Sequence, residues 1–273
     1  MMINVDGCEV NFIDFNVSGN EIIVFLHGFT GSVNDWEEII NMIPSNIRAI
    51  LFDFPGHGIS SVKKELSYYT EEFIHRIINQ ISSKLGLNKF NLCGYSMGGR
   101  AALSYAVNYQ NKINKLVLES STAGIDDYNL RQERINSDEE LCVMIEKKGV
   151  EYFINYWMNL PLFATMKSIE KRKYEEIVKS KLKNNPQGLV NSLKGFGTGK
   201  MRSLWHLLSS INIETLLISG ELDKKFVEIN RSMSAQIEKS KLEVVKNAGH
   251  NVHTEKPKEF AEILINFIMK KLF

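Results

Sequence analysis

The stretch Gly94-Tyr95-Ser96-Met97-Gly98-Gly99-Arg100 sets a hydroxyl between glycines where an apolar run gives way to a helical one. Upstream, Phe90, Leu92 and Cys93 read as a short buried strand; downstream, Met97, Ala101, Ala102, Tyr105 and Ala106 fall on helical spacing. A G-x-S-x-G turn in that context is a nucleophile elbow: backbone strain exposes the serine hydroxyl, and small residues let strand and helix approach closely. Gly94, Gly98 and Gly99 meet that need, against the bland alternative of a Gly/Ser-rich loop. Ser96 is therefore the candidate nucleophile. A serine hydroxyl alone is a weak nucleophile or base, so the chain must also supply a histidine and an acid.

Other apolar runs suggest the surrounding sheet. Residues 8 to 16 alternate loosely, and Ile22 to Leu26 are unbroken, as in a strand covered on both faces. Ala49 to Phe52, Leu116 to Leu118, Thr215 to Ser219 and Leu242 to Val245 repeat that pattern. Helical stretches are expected from Asn34 to Met42, from Thr70 as a cap to Leu85 with Gly86 as the stop, and from Pro257 to Lys271. Between Ile125 and Ser210 only helical stretches appear, punctuated by Gly149, Pro161, Pro186, Gly188 and Gly195-Phe196-Gly197-Thr198-Gly199. The pattern predicts an α/β core over 1–124 and 211–273, with a helical cap over 125–210 inserted after the sixth strand. Such an insertion lies over the carboxyl ends of the strands, where open α/β sheets bind ligands.

The tail supplies the missing partners. Asp223 follows the strand ending at Ser219-Gly220, and His250 follows the last strand; the order Ser, Asp, His is that of the α/β-hydrolase fold. Asp223 could instead cap the helix beginning at Lys224, His253 competes with His250, and Glu119 and Glu221 are reserve acids. The loop His27-Gly28-Phe29-Thr30-Gly31 follows a strand and offers one backbone N–H of an oxyanion hole, from Phe29; the other comes from Met97. His27 reads as ordering that loop. Asp53 and His57 lie four apart in a Pro/Gly-rich turn and read as structural.

The chain has 273 residues with a formal net charge of +1, which offers no electrostatic case for nucleic acid. Cys8, Cys93 and Cys142 are odd in number and contain no C-x-x-C pair, which argues against a disulfide framework and suits a reducing cytoplasm. The start at Met1-Met2-Ile3 lacks a leader pattern, and no run approaches the roughly 18 apolar residues of a membrane span. No metal-ligand spacing is present, and neither a metal nor a cofactor is expected; the expected partner is a small molecule, with oligomeric state left open between monomer and small homo-oligomer.

Several segments fall together: Leu26-His27-Gly28-Phe29-Thr30-Gly31, Asp53 to Gly58, the elbow with Arg100, Leu118-Glu119-Ser120-Ser121, Tyr156 to Phe163, Gly195 to Gly199, and Gly220 to Phe226. Together they resemble the 2-succinyl-6-hydroxy-2,4-cyclohexadiene-1-carboxylate synthase family of menaquinone biosynthesis, cap included. That resemblance implies a lyase without cofactor, in which Ser96, His250 and Asp223 remove a proton and a 2,5-elimination expels pyruvate from a substrate with three carboxylates. It further implies that Tyr95, Arg100, Arg134, Trp157 and Lys181 face the substrate. Lys181 stands where the family usually has arginine and keeps the charge without the bidentate fork. Thr122-Ala123-Gly124 likewise replaces a more usual proline-glycine ending.

The cations also have ordinary readings: Arg100 could pair with a surface carboxylate, Arg134 lies near Glu133 and Asp138, and Lys181 belongs to a mixed-charge helix. Two other functions therefore stay open beside the lyase. One is a serine hydrolase of esters or carbon–carbon bonds; the other is a ligand-binding relic that keeps the triad. Fold alone does not separate them.

Overall fold

Alternating residues of each inner strand point to opposite layers, and both layers are apolar. Val24 and Leu26 pack in one buried cluster with Ile50, Phe52 and Leu92, whereas Ile23 and Phe25 pack in another with Ala49, Leu51 and Cys93. The computed structural model of the chain describes residues 1–269. Its strands are β1 (Met2–Val5), β2 (Cys8–Phe15), β3 (Glu21–Leu26), β4 (Ile47–Phe52), β5 (Phe90–Tyr95), β6 (Ile113–Glu119), β7 (Glu214–Gly220) and β8 (Ser240–Val245). They form one 8-stranded sheet in the order β1-β2-β4-β3-β5-β6-β7-β8. β1 and β2 pair antiparallel with each other, as do β2 and β4, and every pair from β4 through β8 is parallel.

Helices cover both faces. α2 (Glu71–Lys84) and α3 (Met97–Asn108) contribute to the first cluster, and α1 (Glu37–Ile40) and α9 (Pro257–Met269) to the second. Thr70 caps α2 by accepting the Phe73 N–H, and Gly86 follows the helix with φ 67°, as expected for a cap and a stop. The helix expected from Asn34 to Met42 is instead a 3-10 turn over Val33–Trp36 followed by the single turn of α1. Pro44, which lacks an N–H to extend it, lies just beyond. β1 was not signalled as a strand in the sequence; its Ile3 and Val5 bury against the first cluster while Met2 and Asn4 stay exposed. The final helix runs to Met269, and its expected end at Lys271 lies outside the described residues.

Between β6 and β7 the chain forms α4 (Tyr128–Met158), a 3-10 segment Pro161–Ser168, α5 (Lys171–Lys181), α6 (Pro186–Phe196) and a 3-10 segment Trp205–Ser210. Gly149, at φ 80° and ψ 172°, breaks α4 into two helical pieces. These elements have their own core, in which Cys142, Ile145, Phe153, Ile154 and Met158 pack with Leu189, Val190 and Leu193. α6 touches the loop that follows β4. A Cβ on Gly188 would lie 2.2 Å from the Gly56 carbonyl oxygen, so the two backbones touch only because neither residue has a side chain. The remaining helices, α7 (Lys224–Ser234) and α8 (Val252–Glu255), follow the last two strands and carry the loops described next.

Candidate active site

Ser96 lies between β5 and α3 at φ 50° and ψ −105°, a strained conformation for a residue with a side chain. Two features hold it there. Its N–H donates to the Glu119 carbonyl at the end of β6, 2.8 Å away. The glycines then let α3 close in: a Cβ on Gly98 would meet the Leu26 carbonyl oxygen at 2.2 Å, and one on Gly94 would meet that of Gly98 at 2.3 Å. The start of α3 is thereby pressed against the end of β3, which brings Met97 and Phe29 to the same cavity as Ser96. Among the described residues neither backbone N–H of that pair has a protein acceptor.

Asp223 does both things considered for it. One carboxylate oxygen accepts the Phe226 N–H at 3.4 Å and caps α7, and the other lies 2.6 Å from His250 Nδ1. Because an ionised carboxylate only accepts, Nδ1 carries the proton and Nε2 is the acceptor. His250 Nε2 is 3.1 Å from Ser96 Oγ, so the three side chains form one chain of hydrogen bonds. His250 is 2% exposed and Asp223 8% exposed, and the Phe226 ring sits 4.5 Å from the imidazole, which keeps bulk water from the pair.

The competitors are occupied elsewhere. Glu119 binds His253 twice, through Nδ1 at 2.7 Å and through its backbone N–H at 3.0 Å, and both side chains are fully buried. His253 also stacks on Trp36 with ring centres 4.2 Å apart. Glu221 accepts the Asn247 N–H at 3.1 Å and makes no bond to His250. His27 links two loops: its Nδ1 meets the Gly28 carbonyl at 2.8 Å, and its Nε2 accepts the Phe54 N–H at 3.0 Å. Asp53 accepts from Val33 N–H, Ile59 N–H and Asn11 Nδ2, which ties its turn together. Burial pushes His57 down to about 3, so it stays neutral.

The catalytic-looking triad opens on a cavity of about 840 Å³ between the sheet and the helices above it. Tyr95, Arg100, Arg134, Trp157 and Lys181 all line it. Arg100 is buried, donates from Nη1 to the Phe196 carbonyl at 2.7 Å, and lies over the Phe196 ring at 4.8 Å. Among the described residues it makes no ion pair; burial first, then the neighbouring Arg134, push its guanidinium down to about 9, with the nearby Asp138 carboxylate opposing the shift. The surface-pair reading of Arg100 therefore does not hold. Arg134 does pair, its Nε meeting Asp138 Oδ1 at 2.8 Å. Lys181 Nζ donates to Thr30 Oγ1 at 3.2 Å, bridging α5 to the loop after β3.

Lys225, Tyr156, Phe163 and Phe226 also line the cavity and went unassigned in the sequence. Lys225 and Phe226 lie inside the segment Gly220 to Phe226, and their closeness to Asp223 was the available signal. Among the described residues no group of three or more His, Cys, Asp or Glu side chains is placed to hold a metal ion.

A serine on a strained strand-to-helix turn, an acid after β7 and a histidine after β8 define the α/β-hydrolase fold. A profile described as the alpha/beta hydrolase fold matches residues 21–140. A Bacillus subtilis (strain 168) protein provisionally named 2-succinyl-6-hydroxy-2,4-cyclohexadiene-1-carboxylate synthase is 38% identical over 263 residues, covering 96% of each chain. The structure of MenH from S. aureus matches with a TM-score of 0.90 at 33% identity, over 95% of this chain and 97% of that one. The 2-succinyl-6-hydroxy-2,4-cyclohexadiene-1-carboxylate synthase of Klebsiella pneumoniae is 26% identical over 90% of this chain and 92% of its own length. The chain belongs to the 2-succinyl-6-hydroxy-2,4-cyclohexadiene-1-carboxylate synthase family.

Proposed function

We propose that this chain is a lyase. It eliminates pyruvate from 2-succinyl-5-enolpyruvyl-6-hydroxy-3-cyclohexene-1-carboxylate to give 2-succinyl-6-hydroxy-2,4-cyclohexadiene-1-carboxylate, a step of menaquinone biosynthesis in the cytoplasm. The observation that carries this reading is Arg100, a buried cation that makes no ion pair among the described residues, on the wall of the cavity that holds Ser96 and His250. A buried charge is costly unless compensated, and a substrate carboxylate supplies the compensation. Lys181 and Lys225 add positive charge to the same walls, beside Arg134 in its pair with Asp138, as suits a substrate with three carboxylates. Residues 125–210 act as the cap that encloses it.

In this reading His250 draws the proton of Ser96 Oγ, and the serine oxygen takes the ring proton next to the succinyl carbonyl. The released electron pair forms a ring double bond to the next carbon, the existing ring double bond shifts one position along, and the carbon–oxygen bond to the enolpyruvyl group at its far end breaks. The leaving group departs as the pyruvate enolate and is protonated on carbon. Asp223 stabilises the imidazolium that forms, and the Phe29 and Met97 N–H groups stabilise charge developing on the carbonyl oxygen. Tyr95 and Trp157 wall the ring.

The same serine and backbone donors could act on an ester, so the test measures both reactions. Purified protein is given the enolpyruvyl substrate and, separately, a p-nitrophenyl ester. Pyruvate release well above the spontaneous rate with weak ester cleavage is expected. Efficient ester hydrolysis with no enzymatic pyruvate would replace the lyase by a hydrolase, and binding without turnover in either assay would indicate a relic.

A further inference from the structure

Asp223 fixes the His250 ring, but a second carboxylate holds the backbone that carries it. The N–H groups on either side of His250 converge on Glu255 in α8: Gly249 donates to Oε2 at 2.8 Å and Asn251 to Oε1 at 3.4 Å. A third bond comes from the helical segment between β6 and β7, where Thr165 Oγ1 donates to Glu255 Oε1 at 3.1 Å. Thr165 belongs to the 3-10 segment Pro161–Ser168, whose Phe163 lines the cavity and meets the His250 ring edge-on at 5.9 Å. The packing is close, because a Cβ on Gly249 would lie 2.0 Å from Thr165 Oγ1. Burial pushes the Glu255 carboxyl up from its ordinary value, and the bonds from Gly249, Thr165 and Asn251 oppose that shift.

We propose that Glu255 is the positioning residue of His250, and that its bond to Thr165 makes the alignment of the base depend on the seating of the cap. A side chain near 3 Å from its reaction partner loses rate steeply when displaced, so a clamp on both flanking amides acts on kcat. Substrate contacts are not part of the clamp, so KM changes little. The proposal rests on the lyase reading only for its choice of assay.

Glu255→Gln keeps the shape but offers one acceptor oxygen, so one flanking amide loses its partner. Two readouts are followed: pyruvate release, and labelling of Ser96 by a small fluorophosphonate. In the second, Ser96 Oγ bonds to phosphorus, fluoride leaves, and the hydroxyl proton passes to His250. In Glu255→Gln, kcat and the labelling rate are expected to fall together by about tenfold or more with KM within about twofold. Thr165→Val is expected to lower both rates, and Thr165→Ser to restore them. The double variant Glu255→Gln/Thr165→Val should be no slower than Glu255→Gln alone, because Thr165 acts through Glu255. A lower melting temperature with normal rates per folded molecule would overturn the proposal, as would additive losses in the double variant. If Glu255→Gln does not fold, the Thr165 pair decides by the same rates. Labelling does not require the lyase reaction, so absent pyruvate release in the unaltered protein would count against the proposed function and leave this test standing.

Discussion

At the scale of single residues, the two acids near the elbow are separated by what they touch. Asp223 reaches His250 Nδ1, and Glu119 reaches His253. Asp223→Asn would turn an amide N–H or a weaker acceptor toward Nδ1 and disturb the tautomer, so kcat should fall by about a thousandfold or more with the fold intact. Glu119→Gln should instead cost about 1–3 kcal/mol of stability, since a fully buried pair of donors loses an acceptor, with kcat per folded molecule nearly unchanged. Urea midpoints and kcat for the two variants check this, and the reverse ranking would move the catalytic acid to Glu119. Ser96→Ala and His250→Ala should each lower kcat by about a thousandfold or more, with the double variant little worse, because the two act as one unit. Near-normal turnover in Ser96→Ala would remove the elbow from the mechanism. Arg100 differs in kind from these. Arg100→Met replaces a buried cation by an apolar side chain of similar length, so the anionic substrate should lose far more than a small neutral ester. Equal losses on both substrates would make Arg100 structural.

At the scale of elements, the parallel strands were legible because burial on both faces leaves unbroken apolar runs such as Ile22 to Leu26, and glycines mark where α3 must approach β3. Short elements carry less pattern. β1 offers only Ile3 and Val5 to the core, too few to signal a strand. The grouping of Ser96, Asp223 and His250 was legible from their positions after successive strands, but the pairings around them were not. Glu119 and His253 are 134 residues apart and Thr165 and Glu255 are 90 apart, so nothing local in the sequence announces either contact. The docking of α6 was hidden for the same reason, since Gly56 and Gly188 read separately as a turn residue and a helix breaker. Gly188→Ala should force the two backbones apart and cost about 1–3 kcal/mol, with the loss concentrated in the helices between β6 and β7. Hydrogen exchange should therefore quicken over residues 125–210 more than over β3 to β6. Uniform quickening across the chain would show that α6 is not a separate point of attachment.

At the scale of the whole molecule, several histidines are kept neutral inside the fold, which gives the protein a defined weakness to acid. Burial pushes His57 down to about 3 and His75 down to about 4, and it lowers His27 as well. Unfolded histidines titrate near 6.5, so below that pH the unfolded chain binds protons that the folded chain does not. Stability then rises with pH: these contributions are full above about 6.5 and are lost progressively as the pH falls toward the folded values. His75 isolates the effect because it lies away from the cavity, on α2 facing α3. Ser104 donates to Glu71 at 2.8 Å, so His75 Nε2 donates its proton to Ser104 Oγ at 3.1 Å, a bond the neutral ring makes. His75→Gln preserves a donor of similar reach and removes the titration. Between about pH 6 and pH 4.5 the unfolding free energy of the unaltered protein should therefore fall more steeply than that of His75→Gln. The difference should approach one proton, or about 1.4 kcal/mol per pH unit. Urea unfolding at a series of pH values measures both slopes, with turnover near pH 7.5 expected to be the same in the two proteins. Parallel slopes would mean that His75 takes up its proton in the folded state without cost and that the acid sensitivity originates elsewhere.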